Sequence, residues 1–300
     1  MNTIHLNTIG ERVIVKGDGH ASGGGFKAVG DGKTYLHISV VSEARCAVPL
    51  VFSQTMDYGV TIDWGDGSVE TPKGNSGQLV HDYAKVGDYV ISLDVHEDCA
   101  IELGYGSSSR CVMGKCTYEG LVYCAMLKFV EIGNRCGMKP YAFYNCRALH
   151  SIVIPHGVNI PNSAFSSCNS LASVNIPKGI TSISNSAFSY CNTMQSVTMQ
   201  DGLSTIVESA FSSCDALPSI KFPSSVTTIG RNAFNSCRSL RIADFSQHTE
   251  VPVVGATAFA YTADDCKIVV PDALFDAWVI AENWSTYSTK IIKKSEWDAM

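Results

Sequence analysis

Charge is what this chain of 300 residues has least of: Asp, Glu, Lys and Arg together make up 17%, where globular domains commonly carry about a quarter. The few charges also lean acidic, with 28 Asp and Glu against 22 Lys and Arg and a net charge of -6. No basic stripe is present to meet a phosphate backbone, so a nucleic-acid partner is excluded, and an anionic membrane surface is disfavoured for the same reason. No apolar run approaches the ~18 residues of a spanning helix, so membrane insertion is not expected. The opening stretch from Met1 to Gly10 lacks the basic region and apolar core of a signal peptide. The expectation is that a leader is missing from this sequence or that the chain does not use that route.

Chemistry-bearing motifs are scarce too. Eight histidines are scattered along the chain, with no Gly-x-Ser-x-Gly elbow and no His-Glu-x-x-His. Gly32-Lys33-Thr34 resembles the end of a phosphate loop, but Lys27 stands where that loop needs glycine, and a hairpin turn is the better reading. No catalytic residue, no metal ligand set and no cofactor is predicted, and the chain is not read as an enzyme.

What is abundant is apolar side chain, at 45%, and cysteine, twelve in all. Six cysteines recur at 124, 146, 168, 191, 214 and 237, with spacings of 22, 22, 23, 23 and 23. Four residues before most of them stands Ala142-Phe143, Ala164-Phe165, Ala187-Phe188, Ala210-Phe211 or Ala233-Phe234. Three residues after each comes Leu127, Leu149, Leu171, Met194, Leu217 or Leu240. Alternating apolar pairs follow, such as Val174/Ile176 and Ile220/Phe222, and Pro155, Pro177 and Pro223 end the strand. Ala258-Phe259 opens a seventh turn, with Thr262 in the cysteine position.

A period of this length means a solenoid. Each turn holds one short strand whose period-two apolar residues face inward. Opposite the strand, the Ala-Phe-x-x-Cys stretch is too short for a full helix and is read as a helical or 3₁₀ turn. Stacked strands about 4.8 Å apart bury what no single turn can bury alone. The ladder thiols are read as small, buried and reduced, with their weak donors reaching turn backbone.

The string Ala-Phe-x-x-Cys-x-x-Leu-x-x-Ile-x-Ile-Pro over residues 121–271 resembles the BspA-like leucine-rich repeat. That resemblance implies recognition instead of a reaction, in a family that occurs in bacterial surface proteins, some of them adhesins, and in tail-associated proteins of gut phages.

Beyond the repeats, residues 272–281 read as an amphipathic capping helix with Asp272 as N-cap and Leu274, Phe275 and Trp278 on one face. The Trp278 and Trp284 pair has a second reading as a sugar platform. Upstream, Tyr35–Val40, Val48–Phe52, Val60–Trp64 and Tyr89–Val95 favour strands. The set Trp64-Gly65-Asp66-Gly67, His81-Asp82-Tyr83 and Gly87-Asp88-Tyr89 resembles a PKD domain, which implies an immunoglobulin-like β-sandwich used as a spacer or contact module. Asp63, Asp66 and Asp82 admit a calcium reading, although the turn explains them without one. Cys99, Cys111, Cys116, Cys124 and Cys136 cluster near the junction, with simple burial, a local disulfide or zinc as the alternatives.

The predicted fold is therefore mainly β with short helical turns: a PKD-like sandwich, then a leucine-rich-repeat solenoid of about seven turns of 22–25 residues, then a capping helix. The predicted organisation is an arm and Gly-rich linker over 1–33, the sandwich over 34–97, a junction over 98–123, repeats over 124–271 and a cap over 272–300. The outward strand positions Glu131, Val153, Asn175, Thr198, Lys221, Asp244 and Val269 form the candidate binding face. The expected role is adhesion or recognition of a protein or glycan on a cell surface, in an extracellular-facing protein of a bacterial surface or phage tail. A structural virion component is the alternative, and the sequence leaves the oligomeric state open.

Overall fold

The computed structural model describes residues 31–41, 47–74, 76–115 and 127–300. The expected arm over 1–22, the glycine joint at 23–25, and the cysteines at 116 and 124 lie outside the described residues. The fold is mainly β, with about seven solenoid turns and few helices.

The four strands predicted near the N-terminus are present as Thr34–Val40, Ala47–Gln54, Val60–Asp63 and Gly87–Val95. A fifth, Ser76–Asp82, pairs antiparallel with Ala47–Gln54 from Ala47↔Asp82 to Ser53↔Ser76. Its Gly77 and polar neighbours hide it from a reading by β-propensity. Leu36, Ile38, Ile62, Ile91 and Leu93 of one sheet share a single hydrophobic cluster with Val48, Leu50, Phe52, Ile101 and Leu103 of the other. Trp64 is buried within that cluster. Its ring stacks 4.6 Å from His81, and its carbonyl accepts the Tyr83 hydroxyl at 2.8 Å. Lys33, far from serving a phosphate, pairs with Asp94 at 2.5 Å.

Both sheets run on into the solenoid. Thr34–Val40 pairs antiparallel with Leu127–Glu131, which in turn pairs parallel with Ser151–Val153. On the other side, Ile101–Leu103 pairs parallel with Cys136–Met138. The first described turn of the stack therefore has its open hydrogen-bonding edge occupied, which is what an exposed sheet end requires. Gly133 marks the closest approach: a Cβ there would sit 2.3 Å from the Gly32 carbonyl oxygen.

Three ladders hold the turns together. The first is the predicted one, with Val174↔Val197 and Ile220↔Ala243↔Ile268 in parallel register. A second, in which Ile183, Ile206, Ile229 and Val254 stack in parallel, was not part of the sequence expectation. All four are buried. The third follows the Ala-Phe-x-x-Cys segment, where the Phe N–H groups from Phe143 to Phe234 donate to the Ala carbonyl of the next turn, as Phe188 does to Ala210 and Phe211 to Ala233, at 2.8 Å.

That segment is a chain of tight turns interrupted by left-handed residues, not a continuous 3₁₀ helix. Ser163 and Ser167 (φ 53° and 64°), Ser209 and Ser213 (56° and 60°) and Asn232 and Ser236 (56° and 60°) flank their Ala-Phe pairs. The left-handed residues redirect backbone N–H groups along the stack, and this explains why short polar residues dominate there. Between them the phenylalanine rings stack face to face. Phe143, Phe165, Phe188, Phe211, Phe234 and Phe259 succeed one another at 5.2 to 5.3 Å with interplanar angles of 3° to 8°.

His37, in the strand that joins the two parts, meets the edge of Phe129 at 4.9 Å, and burial pushes its ring down to about 4. The unfolded chain binds a proton below about 6.5 that the folded chain refuses until about 4, so acid favours unfolding. Stability should fall as pH drops through this window, by at most about 3 kcal/mol from this group. Melting curves at pH 7 and pH 4.5 check it: His37→Gln should flatten the difference, and an unchanged slope would refute the assignment.

Candidate binding surface

The solenoid strands carry their outward residues on one face, and the seven predicted positions divide into three groups. Asn175, Thr198 and Lys221 are exposed, while Val153 and Asp244 are half-buried. Glu131 and Val269 are buried, which corrects their assignment to an open face. Each sits where the array is closed. Glu131 lies between Tyr35 and Val153 in the continuous sheet. Val269 lies between Asp244 and Ile292, on a strand packed by the helix Lys294–Asp298.

The open stretch is therefore the middle of the array. Ser173 pairs with Ser196 and Asn175 with Thr198 in parallel register, while Ser219 and Lys221 continue the rows with Ile242 and Asp244 beyond them. Hydroxyls and an amide dominate, with one cation. Lys221 makes no ion pair among the described residues. Asp244 is partly committed, because its carboxylate accepts the Ser246 N–H at 2.8 Å. Beneath this face the apolar ladder fixes the strands, so the polar groups are presented on a rigid support.

The ladder thiols do different work. Cys168, Cys191, Cys214 and Cys237 donate to the carbonyls of Phe143, Phe165, Phe188 and Phe211, one turn back, at 3.2 to 3.3 Å. Burial pushes the Cys191 and Cys237 thiols up to about 12, so they stay protonated at neutral pH and are poor nucleophiles. In the seventh turn Thr262 bonds within its own turn instead, to Phe259 at 3.1 Å. A thiol-reactive aromatic disulfide should leave Cys191, Cys214 and Cys237 unlabelled in the native protein and label them in denaturant. Rapid native labelling would show the ladder is open.

The remaining candidates resolve locally. Asp63 and Asp66 accept from Gly65 and Ser68 at 2.9 and 3.0 Å, and Asp66 also meets His81 at 2.8 Å. Burial alone would raise the Asp66 carboxyl, but the hydrogen bonds from His81 and Ser68 hold it below its ordinary value. Cys99, Cys111 and Cys136 are buried. Among the described residues no three His, Cys, Asp or Glu side chains gather as a metal site, and no helix is long and apolar enough to cross a membrane. Trp278 and Trp284 are fully buried, 5.3 Å apart and packed on Phe245. They close the core, so the sugar-platform reading of this pair is set aside. Asp272 is not an N-cap: its carboxylate accepts the Ser295 N–H at 3.0 Å, and the segment divides into a short 3₁₀ turn at Asp272–Leu274 and a helix at Phe275–Ile280.

Residues 137–265 match, in six copies, the family described as BspA type Leucine rich repeat region. Over these residues, less than half of its length, the chain is similar to that family. Among solved structures, a leucine-rich repeat protein from Bacteroides ovatus is 28% identical with a TM-score of 0.47, the match covering 55% of this chain and 42% of that one. A leucine rich repeat protein from T. pallidum is 23% identical with a TM-score of 0.39, covering 55% and 73%. A leucine rich cell surface protein from Faecalibacterium prausnitzii is 22% identical with a TM-score of 0.29, covering 59% and 76%. The chain thus spans less than half the length of the Bacteroides ovatus protein. No curated protein matches it significantly. BspA-type repeats belong to proteins not known as enzymes, and they are compatible with recognition at a cell surface.

Proposed function

We propose that this chain is a non-enzymatic adhesion or recognition protein whose BspA-type strand face contacts a protein or glycan on a cell surface. The observation that carries this reading is the open polar stretch at Ser173, Asn175, Ser196, Thr198, Ser219 and Lys221, held on a stack whose interior is otherwise closed. A flat face of short hydroxyl and amide groups suits an extended partner better than a small molecule, which prefers an enclosed and largely apolar pocket. Its near-neutral charge also favours a partner that is neither polyanionic nor polycationic.

The N-terminal sheets fit a PKD-like spacer in this reading, with Trp64 in the core and Tyr83 bonded to its carbonyl. Because their strands continue into the repeats, the spacer would present the solenoid in a fixed orientation. The setting is a bacterial cell surface or a phage tail.

The test is flow cytometry of the fluorescently labelled full chain on gut bacteria, on epithelial cells and on mucin-coated beads. Saturable labelling of particular bacteria supports a phage or interbacterial recognition role. Labelling of epithelial cells or mucin supports a host-directed adhesin. Absence of saturable labelling on all three contradicts the proposal and leaves a structural assembly component.

A further inference from the structure

One polar ladder on the turn side of the solenoid ends abruptly, and the space it leaves is a second candidate site. One residue past each thiol position, Asn169 donates to Asn192 at 2.9 Å and Asn192 to Asp215 at 3.0 Å. The next member, Arg238, stands 4.0 Å from Asp215, beyond hydrogen-bond range. The member after that is Ala263, whose methyl cannot fill the place an amide or carboxylate held in earlier turns. The result is a concavity of about 500 Å³ lined by Ser236, Arg238, Tyr261, Thr262, Ala263 and Asp264.

Two of its walls are unspent among the described residues, and a third, Arg238, has only the distant Asp215 carboxylate at 4.0 Å. Tyr261 is 76% exposed and occupies a left-handed position, φ 56°, where Ser167, Ser213 and Ser236 stand in other turns. Its large ring contributes nothing to the core there. The Arg238 side chain is 78% exposed. Asp264 is exposed and has no hydrogen-bond or ion-pair partner among the described residues. The floor, by contrast, is fixed: the Lys290 ammonium donates to Thr262 Oγ1 at 3.2 Å and to the Ala263 carbonyl at 2.8 Å.

We propose that this concavity binds one unit of a neutral saccharide. A pyranose has an apolar C–H face and a rim of vicinal hydroxyls. The exposed tyrosine ring matches the face, since an aromatic side chain with a polar tip suits a surface that is partly wet and partly apolar. The guanidinium offers a fork of donors and the carboxylate a pair of acceptors, a set that matches adjacent hydroxyls. The Arg238 and Lys290 cations are balanced by Asp264 and by Asp215, 4.0 Å from Arg238, which leaves no net positive charge to favour an acidic sugar over a neutral one. The site is separate from the strand face and does not depend on its partner.

The test is an array of neutral, sialylated and uronate-containing oligosaccharides probed with the labelled full chain, followed by titration calorimetry on the strongest hit. The expected result is retention of neutral saccharides, weakened at least about tenfold, or 1.4 kcal/mol, by Tyr261→Ser and by Asp264→Asn. Tyr190→Ser, at the equivalent left-handed position three turns earlier and outside the concavity, should leave binding unchanged. Both tyrosine variants install the residue that other turns carry, so they should melt no lower than the parent. Binding of acidic sugars alone, equal loss in Tyr190→Ser and Tyr261→Ser, or no saccharide retained would each overturn the proposal.

Discussion

Replacing Phe211 with alanine should cost about 3–5 kcal/mol of stability, the range for removing a buried aromatic ring. Phe211 is fully buried, with Phe188 and Phe234 stacked on its two faces at 5.3 Å. Neighbouring turns are pinned by other bonds: Phe211 N–H donates to Ala233 at 2.8 Å, and its carbonyl accepts the Cys237 thiol at 3.2 Å. The turns cannot collapse to fill the void, which places the cost at the upper end of the range. In a stack whose stability is a sum of repeat and interface terms, the void also weakens the coupling between the two halves. Urea unfolding followed by circular dichroism checks both effects. A large drop in midpoint with a broadened or biphasic transition is expected, and a loss below about 1 kcal/mol would mean the ring ladder is not the main support.

Removing residues 272–300 should have a larger consequence still, namely aggregation of the chain. The segment supplies the missing next turn. Ile291–Lys293 pairs parallel with the preceding strand from Ile268↔Ile291 to Val270↔Lys293. The Tyr287 hydroxyl accepts the Phe259 N–H at 3.1 Å. Trp284 donates to the Pro252 carbonyl at 2.7 Å and covers Phe245 and Phe259. Without it these rings and a parallel strand edge face water together, the combination that templates aggregation. Size-exclusion chromatography should show aggregate in place of the parent's elution peak. Trp284→Ala is the milder version, with an expected cost of about 3–5 kcal/mol plus an orphaned carbonyl at Pro252. A truncated chain that elutes without aggregate and melts like the parent would show that the repeats close themselves.

These effects follow from features that were unequally legible in the sequence. The thiol and phenylalanine register could be read directly, because a solenoid repeats its core contacts at a fixed interval and any residue facing the axis repeats with them. The second ladder carried the same kind of signal. Ile180 and Ile183 follow Pro177 at three and six residues, and Val226 and Ile229 follow Pro223 in the same way. The strand-like alternation drew attention to the first ladder because the second has only two-residue strands. The burial of Glu131 and Val269 was not legible, since spacing within a repeat says nothing about what covers the ends of the array. The sheet shared between Thr34–Val40 and Leu127–Glu131 joins segments far apart in the chain, and no local period reports such a pairing. Asp272 looked like a cap because it precedes an apolar run, but a strand returning from residue 291 brings Ser295 to its carboxylate instead.

The exposed middle of the strand face is the claim on which the functional account rests. The direct measurement is cell labelling by the full chain carrying Asn175→Glu, Thr198→Glu and Lys221→Glu together, on whichever cells or beads the parent labels saturably. All three positions are exposed, so the variant should melt within a few degrees of the parent. The account predicts that labelling falls at least about tenfold, the equivalent of 1.4 kcal/mol, while the fold is kept. Undiminished labelling by a folded variant would contradict it and move the recognition surface elsewhere on the molecule.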